Sequence, residues 1–299
     1  MSSRPVLVTG GAGFIGSHLV DALLARGHRV RVIDDFATGS RAWLNPAAEL
    51  HELDIRDARA LAPALDGVDC VFHAAALPRV PLSIAQPLET HLTNVDGTLN
   101  LLIAARDRKV RRFIFSSSSS VYGDQPRLPL VETMSPNPGS PYALQKYIGE
   151  QYARMFSRLF GLETLSLRYF AVYGPRMPVE GAYMLAIAAF MRARREGRPL
   201  TIFGDGEQTR DFTHVSDVVE ANLLAMDAAV ADGRVLNVGR GQATSINRIA
   251  SMFGGPMEYR EARPGDVRHT LADNREAQRT LGWQPKVSIT EGLAPLLAN

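Results

Sequence analysis

Cysteine is almost missing: Cys70 is the single one in 299 residues, so no internal disulfide can form and a reducing compartment is the natural setting. An excess of one charge is missing too. Thirty-three basic residues face 31 acidic ones, a net charge of +2, which argues against a basic stripe for nucleic acid. Clusters such as Arg192-Ala193-Arg194-Arg195 have acidic neighbours and read as a solvated helix face. No apolar run approaches a membrane span, and Met1-Ser2-Ser3-Arg4 leads straight into a strand without a signal-peptide pattern. A soluble, cytoplasmic protein is therefore expected. There is no internal repeat or low-complexity tract, and no metal site is expected.

What is present is core-forming material and a repeating order of elements. With 45% apolar content, the chain can bury a large core in one or two interlocked domains. Pro5 to Thr9 reads as a first strand, and Gly10-Gly11-Ala12-Gly13-Phe14-Ile15-Gly16 turns it into a helix reaching about Arg26. Gly10, Gly13 and Gly16 give the spacing of a turn that lets a phosphate approach the backbone, with helix N–H groups facing a pyrophosphate. The next strand, Arg29 to Asp35, ends in acid. Asp34 is placed to accept from ribose hydroxyls and would repel a 2′-phosphate, favouring NAD over NADP.

A third strand ends at Leu53-Asp54-Ile55, where Asp54 is placed to meet an adenine edge. A fourth, Cys70-Val71-Phe72, ends at His73-Ala74-Ala75-Ala76; the alanines leave room for a flat cofactor. Cys70 reads as a core residue and His73 as a structural hydrogen-bonding one. Asn94 begins a turn of the next helix, whose Leu99, Leu101, Leu102 and Ile103 are expected to face the core. This alternation predicts an α/β fold, a Rossmann-type doubly wound parallel sheet. A smaller, mixed α/β C-terminal region follows it.

Two stretches carry chemistry. Arg112 to Phe115 reads as a buried strand, so Ser116 to Ser120 lie at its C-terminal end, where ligands bind in open α/β sheets. After Pro138-Gly139-Ser140-Pro141 a long helical pattern runs to Phe160, and Tyr142 and Lys146 share one of its faces. A phenol beside an ammonium ionises more easily, and a serine hydroxyl alongside completes a proton relay. Beyond the strand Glu163 to Arg168 the alternation weakens: a helix is expected from about Tyr183 to Arg195, and the rest offers loop arginines suited to an anionic substrate.

Together these features resemble the extended short-chain dehydrogenase/reductase family, and within it the nucleotide-sugar 4-epimerases of the UDP-glucose and UDP-N-acetylglucosamine type. The resemblance runs through Thr9 to Gly16, Asp34, His73 to Ala76, Phe115 to Gly123, Tyr142 to Lys146, Arg168 to Arg176, Phe203 to Val215 and Arg263 to Asp273. It implies an NAD-binding domain over 1–170, to which segments about 212–240 return, and a mainly nucleotide-sugar-binding domain over 171–299. It implies NAD contacts from Gly10, Gly13, Phe14, Ile15, Gly16, Asp34, Asp35 and Gly39, and from Asp54, Ile55 and Ala74 to Ala76. Asn94, Ser116, Tyr142, Lys146, Tyr169, Phe170 and Val172 complete that set. Tyr142 would be the base at the sugar 4-hydroxyl, Ser118 would bridge the hydrogen bond, and Lys146 would lower the Tyr142 pKa with help from the nicotinamide ring. NAD would stay bound through turnover, and a homodimer pairing the Asn94 and Tyr142 helices is implied.

For a UDP-hexose substrate the resemblance implies Arg210 and Arg263 at the diphosphate, Asp266 at the ribose and Phe203 at the uracil, with Thr201 also among the substrate contacts. Departures from the family fall at the sugar: Arg79, Ala171 where asparagine is usual, and Met184. Thr270 stands where a bulky tyrosine restricts some members to non-acetylated sugars, so N-acetylhexosamines are expected to fit. Family dehydratases place Asp-Glu, and decarboxylases a Glu, where this chain has Ser119 and Ser120, which disfavours both eliminations. A 4-keto reductase and a non-catalytic dinucleotide-binding protein are the remaining alternatives.

Overall fold

Short β-branched runs alternate with amphipathic segments, and the chain lays them down as a doubly wound sheet. The structure is a computed structural model and describes residues 4–78, 80–179, 185–262 and 267–298. The first half runs β1 (Val6–Thr9), α1 (Phe14–Ala25), β2 (Val30–Ile33), β3 (Glu49–His51), α2 (Ala58–Ala64) and β4 (Cys70–His73). Then come α3 (Val80–Ala85), α4 (Pro87–His91), a π-helical turn Leu92–Asp96, α5 (Gly97–Asp107), β5 (Arg112–Ser118), a 3-10 turn Ser119–Tyr122, α6 (Pro141–Phe160) and β6 (Glu163–Tyr169).

The second half is more broken. It runs β7 (Val172–Tyr173), α7 (Ala186–Arg195), β8 (Leu200–Phe203), β9 (Thr209–Asp211), β10 (Thr213–His214), α8 (Val215–Asp227) and β11 (Asp232–Val238). It ends with β12 (Ala243–Ser245), α9 (Ile246–Phe253), β13 (Met257–Arg260), α10 (Arg275–Leu281) and α11 (Ile289–Leu297).

The main sheet has the order β11-β6-β5-β4-β1-β2-β3, parallel throughout. Its direction of growth reverses between β1 and β4, the switch point at which such sheets open a ligand crevice. Side chains of one strand alternate between two cores, as the pleat requires. Val6 and Val8 join Leu19, Val20 and Leu23 of α1 and Leu223 of α8, while Leu7 joins Leu61, Leu101, Leu102 and Phe156 on the other face. Cys70 is fully buried in the first of these cores, as expected. A separate core gathers Tyr173, Ile187, Phe190, Ile202, Phe212, Ile249, Phe253 and Leu293. The segment around α8 and β11 packs with the main sheet, and so do Ala277, Leu281 and Trp283 near the end of the chain.

Three details differ from the sequence reading. Helical structure begins at Pro87, so Asn94 lies inside a helical path instead of opening one. Ile103 is 36% exposed, because a 3.6-residue period that turns Leu101, Leu102 and Ala105 inward turns residue 103 outward; Leu99 is partly buried at the edge of that core. The helix expected from about Tyr183 begins at Ala186; Tyr183 and Met184 lie outside the described residues. No described helix is long and apolar enough to cross a membrane.

Candidate active site at the carboxyl ends of the sheet

The glycine turn is built so tightly that its residue types are dictated. Gly10 has φ +71°, and a Cβ there would lie 2.7 Å from Ala75 N. A Cβ on Gly16 would lie 2.0 Å from Gly10 O, so α1 packs directly on the turn. Gly13 is the residue preceding α1, and Phe14 and Ile15 open that helix half-buried. Asp34, just past β2, is buried; one carboxylate oxygen accepts from Ala12 N at 2.8 Å and the other from Phe36 N at 2.8 Å. Burial raises the Asp34 pKa while those two N–H bonds oppose the rise. Gly39 lies against Ala12 and Asp34, and the Asp35 carboxylate accepts from Ala37 N. The turn therefore lies against Ala74 and Ala75 and is tied to Asp34 at the carboxyl ends of the strands, the place and the residue types that suit a dinucleotide.

Next to that turn lies a network that fixes a histidine. His73, fully buried, meets Thr9 Oγ1 at 2.8 Å through Nδ1 and Thr98 Oγ1 at 2.9 Å through Nε2. Thr98 gives its own hydrogen to Asn94 O, so His73 Nε2 must be the donor and Nδ1 the acceptor from Thr9. Thr9 Oγ1 in turn accepts from Ala75 N. Burial, and then the Lys146 charge, push the His73 pKa down to about 3, so it stays neutral and structural, as expected. Asn94 donates to Leu77 O and Gln145 Oε1 and accepts from Leu77 N, which pins the segment after the alanines. Asp54 accepts from Arg56 N and Nε at the exposed edge of this side, and Ile55 is buried.

Ser118 ends β5, and Tyr142 and Lys146 come from the first turns of α6, whose start is fixed by Pro141 and by Ser140 accepting from Ala143 N. Ser83 Oγ, from α3, accepts from Tyr142 N at 3.0 Å. Tyr142 and Lys146 are both buried. Lys146 Nζ donates to Ser116 O at 2.8 Å and stands 5.9 Å from the centre of the Tyr142 ring. The structure thus brings Ser118, Tyr142 and Lys146 together.

Burial pushes the Tyr142 phenol up to about 12, and a hydrogen bond from Ser118 is what works against that rise. Lys146 is held by Ser116. Burial also lowers Lys146 to about 8, with the Glu150 charge opposing. Glu150 was not singled out in the sequence, although it stands one helical turn beyond Lys146. It is buried, accepts from Ser117 Oγ at 2.6 Å, and forms a two-pronged ion pair with Arg168 at 2.8 and 2.7 Å. Ser116 Oγ meets Tyr169 Oη at 3.1 Å; Phe170 is buried and Val172 partly so.

The residues expected at the nucleotide sugar come from several elements. Ala171 takes φ +22°, a backbone conformation that suits asparagine better than alanine. Thr201 donates to Glu258 at 2.6 Å, and Phe203 ends β8 half-buried. Arg210 donates to Thr209 O and Arg268 O, and Thr270 Oγ1 accepts from Asp211 N. Arg79, Met184, Arg263 and Asp266 lie outside the described residues. Among the described residues no group of His, Cys, Asp and Glu side chains is placed to hold a metal ion.

Residues 6–239 match the NAD dependent epimerase/dehydratase family. A protein of Methanocaldococcus jannaschii named putative UDP-glucose 4-epimerase is 38% identical over 96% of this chain and 95% of its own. The structure of a UDP-glucose 4-epimerase from Thermotoga maritima with UDP-glucose superposes with a TM-score of 0.94 at 40% identity, covering 98% of this chain and 97% of that one. A UDP-N-acetylglucosamine 4-epimerase from Methanobrevibacter ruminantium, in complex with UDP-N-acetylmuramic acid, gives a TM-score of 0.94 at 37% identity, covering 100% and 98%. Other relatives are named UDP-glucuronic acid decarboxylase. The chain belongs to the NAD-dependent epimerase/dehydratase family of enzymes.

Proposed function

We propose that the protein interconverts the C4 epimers of a UDP-hexose, through a transient 4-keto sugar. The observation that carries the reading is the buried Tyr142 between Ser118 and Lys146, with serine at 119 and 120 where the eliminating members carry carboxylic acids. Glu150, the buried acid nearest in sequence, is already held by Arg168 and Ser117, so it does not serve as an eliminating acid. NAD, when bound, supplies the carrier for the C4 hydrogen and a positive ring at the site. Gly10, Gly13, Gly16 and Asp34 would hold it, with Phe14, Ile15, Asp35, Gly39 and Ala74 to Ala76 around them. Tyr142, as phenolate, takes the 4-hydroxyl proton, and Ser118 favours that phenolate beforehand by donating to the Tyr142 oxygen. Lys146 is poised to hydrogen-bond a ribose and adds a positive charge as the site fills.

The buried Asp34 after β2 supports NAD over NADP. Arg210, Thr201, Phe203 and Thr270 are proposed for the nucleotide-sugar side, with Arg79, Ala171, Met184, Arg263 and Asp266. We propose a cytoplasmic homodimer whose contact uses α5 and α6, where Ile103, Leu144, Met155 and Leu159 are exposed. Proton NMR of the purified protein with UDP-glucose, UDP-galactose and their N-acetyl counterparts, without added NAD, tests the reaction. One C4 pair interconverts without build-up of a keto sugar; a persistent keto product would overturn the reading in favour of a lyase. Thr270→Tyr should remove activity on the N-acetyl pair selectively, and equal losses on both pairs would refute that specificity.

A further inference from the structure

The Ser118 hydroxyl has one hydrogen to give and two lone pairs with which to accept. Both lone pairs are engaged by a single neighbour: Ser120 Oγ donates to Ser118 Oγ at 2.9 Å, and Ser120 N donates to the same oxygen at 3.2 Å. The 3-10 turn Ser119–Tyr122 makes this double contact possible, because it folds residue 120 back over the end of β5.

We propose that Ser120 is a positioning residue that fixes the direction of the Ser118 hydrogen, committing it to the Tyr142 oxygen. The proposal deepens the reading of Tyr142 as the base and rests on it for its catalytic meaning. With its acceptor positions filled, Ser118 is a fixed donor to the phenolate and not a two-way proton carrier. The other ionisable groups around Tyr142 do not replace this function. Lys146, on the same helix, is held by Ser116 O; Glu150, a turn further on, is paired to Arg168. His73, on β4, is neutral, and Tyr169, at the end of β6, is bound to Ser116 and Asn222. From α3 the neighbour is the uncharged Ser83.

The test reads Tyr142 directly. The near-ultraviolet phenolate absorbance of the NAD-loaded protein is titrated with pH, and that of its Tyr142→Phe variant is subtracted. Ser120→Ala keeps the backbone donor and removes the hydroxyl donor; the Tyr142 midpoint should rise by about 0.5 to 1 pH unit. Ser120→Thr, which keeps a hydroxyl, should titrate like the unaltered protein. Ser120→Cys, a weaker donor of similar size, should shift the midpoint upward less than alanine does. An unmoved midpoint in Ser120→Ala, or an equal shift in Ser120→Thr, would overturn the proposal. The readout needs no sugar substrate: a shifted midpoint in a protein that epimerises no UDP-hexose would uphold the role of Ser120 and refute the proposed reaction.

Discussion

At the end of β1 a single methyl group has nowhere to go, since a Cβ on Gly16 would sit 2.0 Å from Gly10 O. Around β8 and β13, by contrast, charged side chains meet in the open: Arg268 pairs with Asp205 at 2.6 Å while both remain more than half exposed. The sheet-end side of the site is held by buried, mutually dependent hydrogen bonds, such as Thr9–His73–Thr98 and Ser117–Glu150–Arg168. Desolvated groups of that kind lose heavily when one partner goes, whereas exposed pairs lose little. The side that would hold a shared cofactor is therefore constrained at nearly every atom. The side proposed for the sugar has freedom to vary.

Glu150→Gln should break that contrast most severely. It leaves the Arg168 guanidinium buried without its counter-charge, at a cost of about 4 kcal/mol, and it removes the charge that supports Lys146 against burial. Chemical denaturation measures the first effect. A loss below about 1 kcal/mol would mean that the pair contributes little beyond its replacement. Gly16→Ala comes next: overpacking against the turn should cost about 3 kcal/mol and lower the melting temperature by about 5 °C. Retention of bound NAD at the unaltered level by that variant would contradict the close-packed reading of the turn.

Acid should attack the same side. The folded His73 pKa, about 3, lies below the ordinary value of 6.5, so the unfolded chain binds the proton first as pH falls. Stability from this group is full above pH 6.5 and is lost on the way down toward about 3, amounting to about 2 kcal/mol at pH 5. Below about pH 6.5 the melting temperature should fall more steeply for the protein than for His73→Asn; parallel curves would show that His73 does not carry the effect. The smallest change is expected across the molecule. Arg268→Ala should leave the melting temperature within measurement error, and a clear drop would reveal a structural demand that its exposure does not suggest.

The same contrast explains what could be read in the sequence. The glycine spacing, the acid after β2 and the Tyr142–Lys146 face are legible because backbone geometry and helix period fix residue type over a few positions. The alternation of strands and helices up to β6 is legible for the same reason. The burial that raises the Tyr142 phenol in the protein alone is not legible, because it depends on residues far apart in the chain. Glu150 is instructive, because its spacing from Lys146 is visible while its partner Arg168 arrives only when β5, β6 and α6 pack together. Ile103 was misread because an unbroken apolar run hides which members of a helix turn outward. The helical path from Pro87 was missed because its short pieces, joined by a π turn, give no long period to read. On the sugar side, Ala171 shows a positive φ that only the folded backbone reveals.

The role proposed for Tyr142 and its neighbours is a reversible oxidation at C4 with the cofactor retained. Its most direct test is to supply UDP-glucose deuterated at C4 to the purified protein without added NAD and to follow the label by NMR and mass spectrometry. The expected product is UDP-galactose with the deuterium kept at C4 and no exchange with solvent hydrogen. Loss of the label to water, or turnover that stops without fresh NAD, would contradict it.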